Sequence, residues 1–291
     1  LFFNENEFKQ LLIKLKIEKT VSGGSVANSI VGLKPTIGLV SRSGIVPISS
    51  TLDTSGPMTK NVIDNAIVLK AISGYDPDDS KSVNKSTIDL ESIINSNLKG
   101  KRFGVFKDYL SDSLYLNAIN KIKKSGGTII EFSPPKVDFS DFRKILDFDM
   151  KFDLPKYFKK NNILFNSIND IVEFNSKDSL LRSPYGQGIF KSIVSDSTKL
   201  DEINSIKTRI KTEGKKYFDI AIKKYKLDAI ISINNYHAGY AAGAYYPCLT
   251  VPMGYDEVGK PFNLTFISPS FTENKLLQIG YAFEKETNFR V

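Results

Sequence analysis

The chain has 291 residues, 41% hydrophobic and 25% charged, with a formal net charge of +8, one cysteine and one histidine. That is the composition of a globular protein with ample core material, and no stretch reaches the roughly 18 uninterrupted apolar residues of a membrane span. Cys248 alone cannot form an internal disulfide, and with only His237 beside it in composition it cannot build a zinc site. The positive charge sits on lysines scattered among Asn, Ser and Asp, as in "NKIKKSGG" and "AIKKYKLDA". These read as solvated helix faces. No stripe of arginines and aromatics suits a single strand of nucleic acid, so neither nucleic acid nor a membrane is expected as a partner. The opening "LFFNE" has no basic region before an apolar run, so no signal peptide is expected and the cytoplasm is the favoured compartment.

Residues 5–19 space Phe8, Leu11, Leu12 and Leu15 at helical intervals with lysines opposite, which predicts an amphipathic helix. Ser22-Gly23-Gly24-Ser25 reads as a small-residue turn. From Ile37 to Ser50 β-branched residues punctuated by Gly38, Gly44 and Pro47 suggest strand and turn. "NVIDNAIVLKAISG" predicts a helix stopped near Gly74, and the polar stretch after it a surface loop with one short helix. "RFGVFKD", "SLYLNAINKIKKSGG" and "TIIEF" then form a β-α-β unit, which implies a parallel pair. Residues 139–225 are largely helical in pattern. Strands follow at "LDAIISI", "PCLTVPMGY" and "KPFNLTFIS", and the helix "NKLLQIGYAFEKET" closes the series. The class is α/β, most simply one domain over 1–291. Gly32–Pro35 and Leu249–Pro252, both apolar runs closed by proline, are expected to be neighbouring buried strands. Cys248, inside such a run, reads as a buried structural thiol.

The stretch "VGLKPTIGLVSRSGIVPISSTLDTSGPMTKNVIDNAIVLKAISGYDPDD" closely resembles the amidase signature family. "KFDLPKYF", "INDIVEFN" and "YGQGIF" resemble helical landmarks of its peptide-amidase-like members. "LDAII", "AGYAAGAYYPCLTVPMGY" and "LLQIGYAFEKET" resemble its last strands and helix. The resemblance runs from about Asn28 to Arg290 and extends to the amidase-like subunit of the glutamyl-tRNA amidotransferases. It implies a mixed, mostly parallel β-sheet surrounded by helices, no cofactor, and hydrolysis or transfer of a small-molecule or peptide amide. It also implies a Ser-Ser-Lys triad: a serine nucleophile just before the segment 31–36, a second, bridging serine further upstream, and a lysine as base. A serine hydroxyl needs such a base, and a buried lysine can serve.

The sequence departs from that pattern in one place. Only Val26 to Ile30 separate Ser25 from the 31–36 segment, and one small loop stands where two are expected. "FKD" at 106–108 comes too late in the chain to supply the lysine. Material is therefore expected to be missing between about Thr20 and Asn28. Three readings of Ser25 stay open: the nucleophile loop with a shortened exit, the bridging-serine loop with Val21 at the bridging position, or neither. The candidate catalytic residues are Ser25 and Ser22. Gly23 and Gly24 are candidates for binding substrate through backbone N–H groups, and Tyr236 and His237 for lining the acyl side of the pocket. Arg42, Ser43 and Asp53 belong to the motif stretch beside the site, Asp53 as a partner for loop N–H groups. Lys34 is read as structural. The alternatives to an amidohydrolase are one subunit of an amidotransferase and an inactive amidase-fold binding protein. A homodimer is left open.

Overall fold

The structure, a computed structural model, describes residues 20–85, 87–287 and 289. The helix expected over 5–19 lies outside the described residues. In chain order the elements are α1 (Thr20–Ala27), β1 (Val31–Lys34), β2 (Met58–Thr59), α2 (Val62–Ile72), α3 (Leu90–Ile94), β3 (Arg102–Phe106), α4 (Ser113–Lys124) and β4 (Thr128–Phe132). Then come α5 (Phe142–Lys160), α6 (Ile168–Ser176), α7 (Ser179–Arg182), α8 (Gly188–Ser195) and α9 (Leu200–Tyr225). The last five are β5 (Ala229–Ile233), α10 (Ala238–Ala244), β6 (Cys248–Tyr255), β7 (Pro261–Ile267) and α11 (Glu273–Thr287).

The predicted helices start where side chains can satisfy their first N–H groups. Asn61 accepts from Asp64 N at 2.8 Å to begin α2, and Asp112 accepts from Tyr115 N at 2.8 Å to begin α4. Two expectations give way. Between Ile37 and Ser50 only isolated bridges form, because Gly38 and Gly44 take positive φ and keep the chain turning. The turn expected at 22–25 is helical, part of α1. Glycine-rich sequence disfavours a helix, but here small residues let α1 lie against the sheet. A Cβ placed on Gly32 of β1 would fall 2.1 Å from Ser25 Oγ.

The seven strands form one sheet in the order β2-β1-β6-β7-β5-β3-β4. It is mixed, as expected, but its parallel share is smaller than expected. Only β3–β4 and β3–β5 run parallel, while β1–β2, β1–β6, β5–β7 and β6–β7 are antiparallel. The reason is local: β6 and β7 form a hairpin, which must be antiparallel, and β1 and β5 add to its two edges. Leu33 lies opposite Leu249, and both are fully buried, so the two proline-closed runs are neighbours.

Contacts divide the chain, expected as one domain over 1–291, into two compact units. In the first, the sheet unit, one face carries Leu33, Leu249, Phe266 and Ile231 under side chains of α2, α4 and α11. On the other face Cys248, Ile267 and Ile230 pack with Phe218 and Ala221 of α9 and Ala241 and Ala244 of α10. The second unit joins residues 44–53 to 139–210, with Ile48, Leu146, Met150, Leu154, Ile171 and Phe190 in its core. Its loop is held by carboxylates. Asp53 accepts from Ile48 N and Ser49 N, each at 2.8 Å, as the sequence led us to expect. Buried Asp149 accepts from the Ser49 hydroxyl and from Lys207 Nζ, both at 2.5 Å.

Candidate active site

Cross-strand registers define the second face of the sheet residue by residue. Gly32 lies opposite Thr250, Thr250 opposite Thr265, and Thr265 opposite Ser232, so these four share one face across β1, β6, β7 and β5. Two residues along, Asn263 sits on the same face beside Asn234. Asn234 N donates to Asn263 O and Asn263 N to Asn234 Oδ1, each at 2.8 Å. In the other direction the row is Lys34, Cys248, Ile267, Ile230 and Gly104. One half of this face is thus polar and the other apolar. The polar half lies at the carboxyl end of the parallel strand β5, where open α/β sheets place their ligands.

At one end of the polar row stands α1, which lies over β1, β6 and β7. Ser25 is fully buried on it, and its hydroxyl has no hydrogen-bond partner among the described residues. Gly23 and Gly24 are helical and partly buried, Gly24 facing Met58. Ser22 lies in the same helix, its side chain outside the described set.

At the other end stands His237. Its Nδ1 lies 2.6 Å from the Ser232 hydroxyl, and its ring stacks on Phe106 at 3.9 Å with 9° between planes. Tyr109 meets the same ring edge-on at 5.6 Å, and Tyr236, half exposed, faces Tyr109 at 5.7 Å. Burial lowers the imidazole pKa to about 4, so His237 is neutral at physiological pH. Burial also raises the phenols of Tyr109 and Tyr217, which remain protonated.

The predicted residues therefore form two groups on one face. Tyr236 and His237 are adjacent, and the Ser22–Ser25 segment is a single helix turn, but three strand spacings of about 4.8 Å separate β1 from β5. His237 is not within proton-transfer reach of Ser25. Lys34 is on this face too, its Nζ donating to Pro35 O at 3.1 Å. Burial holds its ammonium below the ordinary lysine pKa, with Cys248 and Glu273 acting in the opposite direction. That bond to its own strand end fits the structural role. Burial likewise raises the Cys248 thiol to about 11, which makes it a poor nucleophile. Arg42 pairs with Asp79 through two nitrogens, at 2.9 and 2.6 Å. Ser43 N bonds Ser41 Oγ, so neither Arg42 nor Ser43 is committed to the polar row.

The sequence reading missed Ser232, Asn234, Thr250, Asn263 and Thr265. A signal was available. In "SIN" and "NLT" polar residues recur at every second position within otherwise apolar strands, the period that puts them on one face.

The family model described as Amidase matches residues 23–239. A protein of Arabidopsis thaliana named a probable amidase is 30% identical over 280 residues, covering 90% of this chain and 54% of its own length. A glutamyl-tRNA(Gln) amidotransferase subunit of Halothermothrix orenii is 26% identical, covering 92% and 64%. An amidase family protein from Bacillus anthracis superimposes with a TM-score of 0.87 at 29% identity, over 93% of this chain and 56% of that one. The peptide amidase of Stenotrophomonas maltophilia gives 0.84 at 26%, over 94% and 64%. The chain belongs to the amidase family. It spans between about half and two thirds of the length of these relatives.

Proposed function

We propose that the protein carrying this chain hydrolyses a small-molecule or peptide carboxamide by way of an acyl-serine. A serine oxygen attacks the carbonyl, ammonia or an amine leaves with a proton, and water then releases the acid and restores the serine. The observation that carries this reading is the family match across 23–239, on a sheet whose polar rows lie at a strand's carboxyl end. In this reading Ser25, or Ser22 one turn away, is the candidate nucleophile of a Ser-Ser-Lys triad. Backbone N–H groups near Gly23 and Gly24 are the candidate oxyanion donors, and Tyr236 with His237 lines the acyl side.

One observation favours a second reading for the 291-residue form itself. Ser25 is sealed between α1 and Gly32, and no base lies within hydrogen-bonding distance of its hydroxyl among the described residues. Loss of a general base costs about 10²–10⁴-fold in rate, so this form is expected to bind without turning over. Mass spectrometry after treatment with a fluorophosphonate probe tests both. The 291-residue chain should stay unlabelled, and a longer parent carrying an upstream lysine should acquire one label on serine. Labelled Ser25 in the short form would overturn the binding-only reading. An unlabelled parent that turns over no carboxamide would overturn the hydrolase.

A further inference from the structure

Three buried oxygens on the polar face lack any hydrogen-bond partner among the described residues: Ser25 Oγ, Thr250 Oγ1 and Asn263 Oδ1. They come from three elements, α1, β6 and β7. Ser25 Oγ lies 2.1 Å from the position a Cβ of Gly32 would take, and Gly32 is the cross-strand neighbour of Thr250. Asn263 stands two residues from Thr265, which faces Thr250 directly. Each orphaned group costs about 1–3 kcal/mol when sealed from water. A sheet surface meant to be covered permanently by a helix would be apolar, as the opposite face is under α2, α4 and α11.

The cover is itself a weak helix. Its eight residues, Thr-Val-Ser-Gly-Gly-Ser-Val-Ala, include two glycines, two valines and a threonine, and its first and last turns carry no complementary charge. Each glycine costs about 1 kcal/mol relative to alanine in a helix interior, and a helix this short has no independent stability. A marginal helix thus rests on polar groups that it does not satisfy.

We propose that Thr250 and Asn263 form an amide-binding patch and that α1 is its displaceable cover. The chemistry selects a carboxamide. Asn263 Oδ1 can only accept, and so takes an amide N–H, while the Thr250 hydroxyl is free to donate to the amide carbonyl. The Nδ2 of Asn263 is already committed to Ile30 O at 2.9 Å, which leaves Oδ1 as the unpartnered atom of the side chain. This site rests on the amide-cleaving reading above and describes where the 291-residue form holds an amide without turning it over.

Hydrogen exchange of the 291-residue chain with acetamide, and separately with benzamide, tests it. With either probe the backbone amides of residues 21–27 should exchange faster, while those around Thr250 and Asn263 exchange more slowly. Thr250→Val is close to isosteric and removes only an unpaired hydroxyl, so its unfolding midpoint should equal or exceed that of the parent. In this variant the exchange response to the probes should be lost. Slower exchange in both regions, a response retained in Thr250→Val, or no response to either probe would each overturn the proposal. Fluorophosphonate labelling reads the hydrolase independently: a labelled parent with no exchange response sinks this site and leaves the hydrolase standing.

Discussion

His237 and Ser232 show how one buried contact sets a residue's chemistry. Asn234, with φ 49°, turns the chain back after β5 so that His237, five residues beyond Ser232, meets that serine. Asparagine tolerates that left-handed backbone better than most residues. The imidazole pays for its burial in pH sensitivity. Its folded pKa, about 4, lies below the unfolded value of about 6.5, so the unfolded chain takes up the proton first as pH falls. Stability should decline from about pH 6.5 and stop declining on this account below about pH 4, by roughly 3 kcal/mol in all. Denaturant titrations at pH 7, 5.5 and 4.5 should show the decline in the parent and a flatter profile in His237→Gln. Equal slopes would mean the ring is not buried as described. Asp79 is separable in the same titration. The Arg42 guanidinium holds its carboxyl well below the ordinary range, so its contribution is lost only at more acid pH.

Among elements, α1 against β1 gives the sharpest test of packing. Gly32→Ala would bring a Cβ within 2.1 Å of Ser25 Oγ and 2.8 Å of Ser25 Cβ. Overpacking of this kind costs about 1–3 kcal/mol. Ser25→Gly removes both obstructing atoms, so the double variant should recover stability beyond the sum of the single effects, the signature of direct coupling. Simple additivity would refute the contact. In the helical unit, Asp149→Ala should cost about 3 kcal/mol, since it strands the partly buried Lys207 ammonium and the Ser49 hydroxyl. Exchange at the amides of Ser49 to Leu52 should quicken with it, and an unchanged loop would show that the carboxylate does not hold it. The same elements mark what the sequence could tell. Helices α2 and α4 announce themselves through runs of helix-compatible sequence ending at a glycine stop, because those signals are local. α1 does not, because its helix is imposed by packing on Gly32 against the preference of Gly23 and Gly24. The polar row escaped notice for a related reason. Thr250 and Thr265 alternate correctly for a shared face, and β1 was expected beside β6, but no local signal places β5 beside β7.

At the scale of the whole molecule, the family match and the mixed sheet agree, and the chain spans about half to two thirds of the length of its relatives. The two units carry different kinds of information. In the sheet unit, the opposed polar and apolar halves of one face were written in strand alternation. In the helical unit, "KFDLPKYF" and "INDIVEFN" were legible as helices, but the Asp149–Lys207 pair joins positions 58 residues apart, and nothing in the sequence links them.

The sheet's connectivity also governs the order in which it can be built. β1 pairs with β6, so Gly32 meets Thr250 only after more than two hundred further residues have been made. At a synthesis rate of about 5–20 residues per second, β1 and its unsatisfied edge wait roughly 10–40 s for a partner. The β6–β7 hairpin, closed by Asp256 accepting from Lys260 N at 2.8 Å, can form within microseconds of emerging. The hairpin is thus the natural template onto which the two older strands, β1 and β5, add from either side. Until then Val31 and Leu33 are exposed apolar surface on a nascent chain, which is where a holding chaperone would have to act.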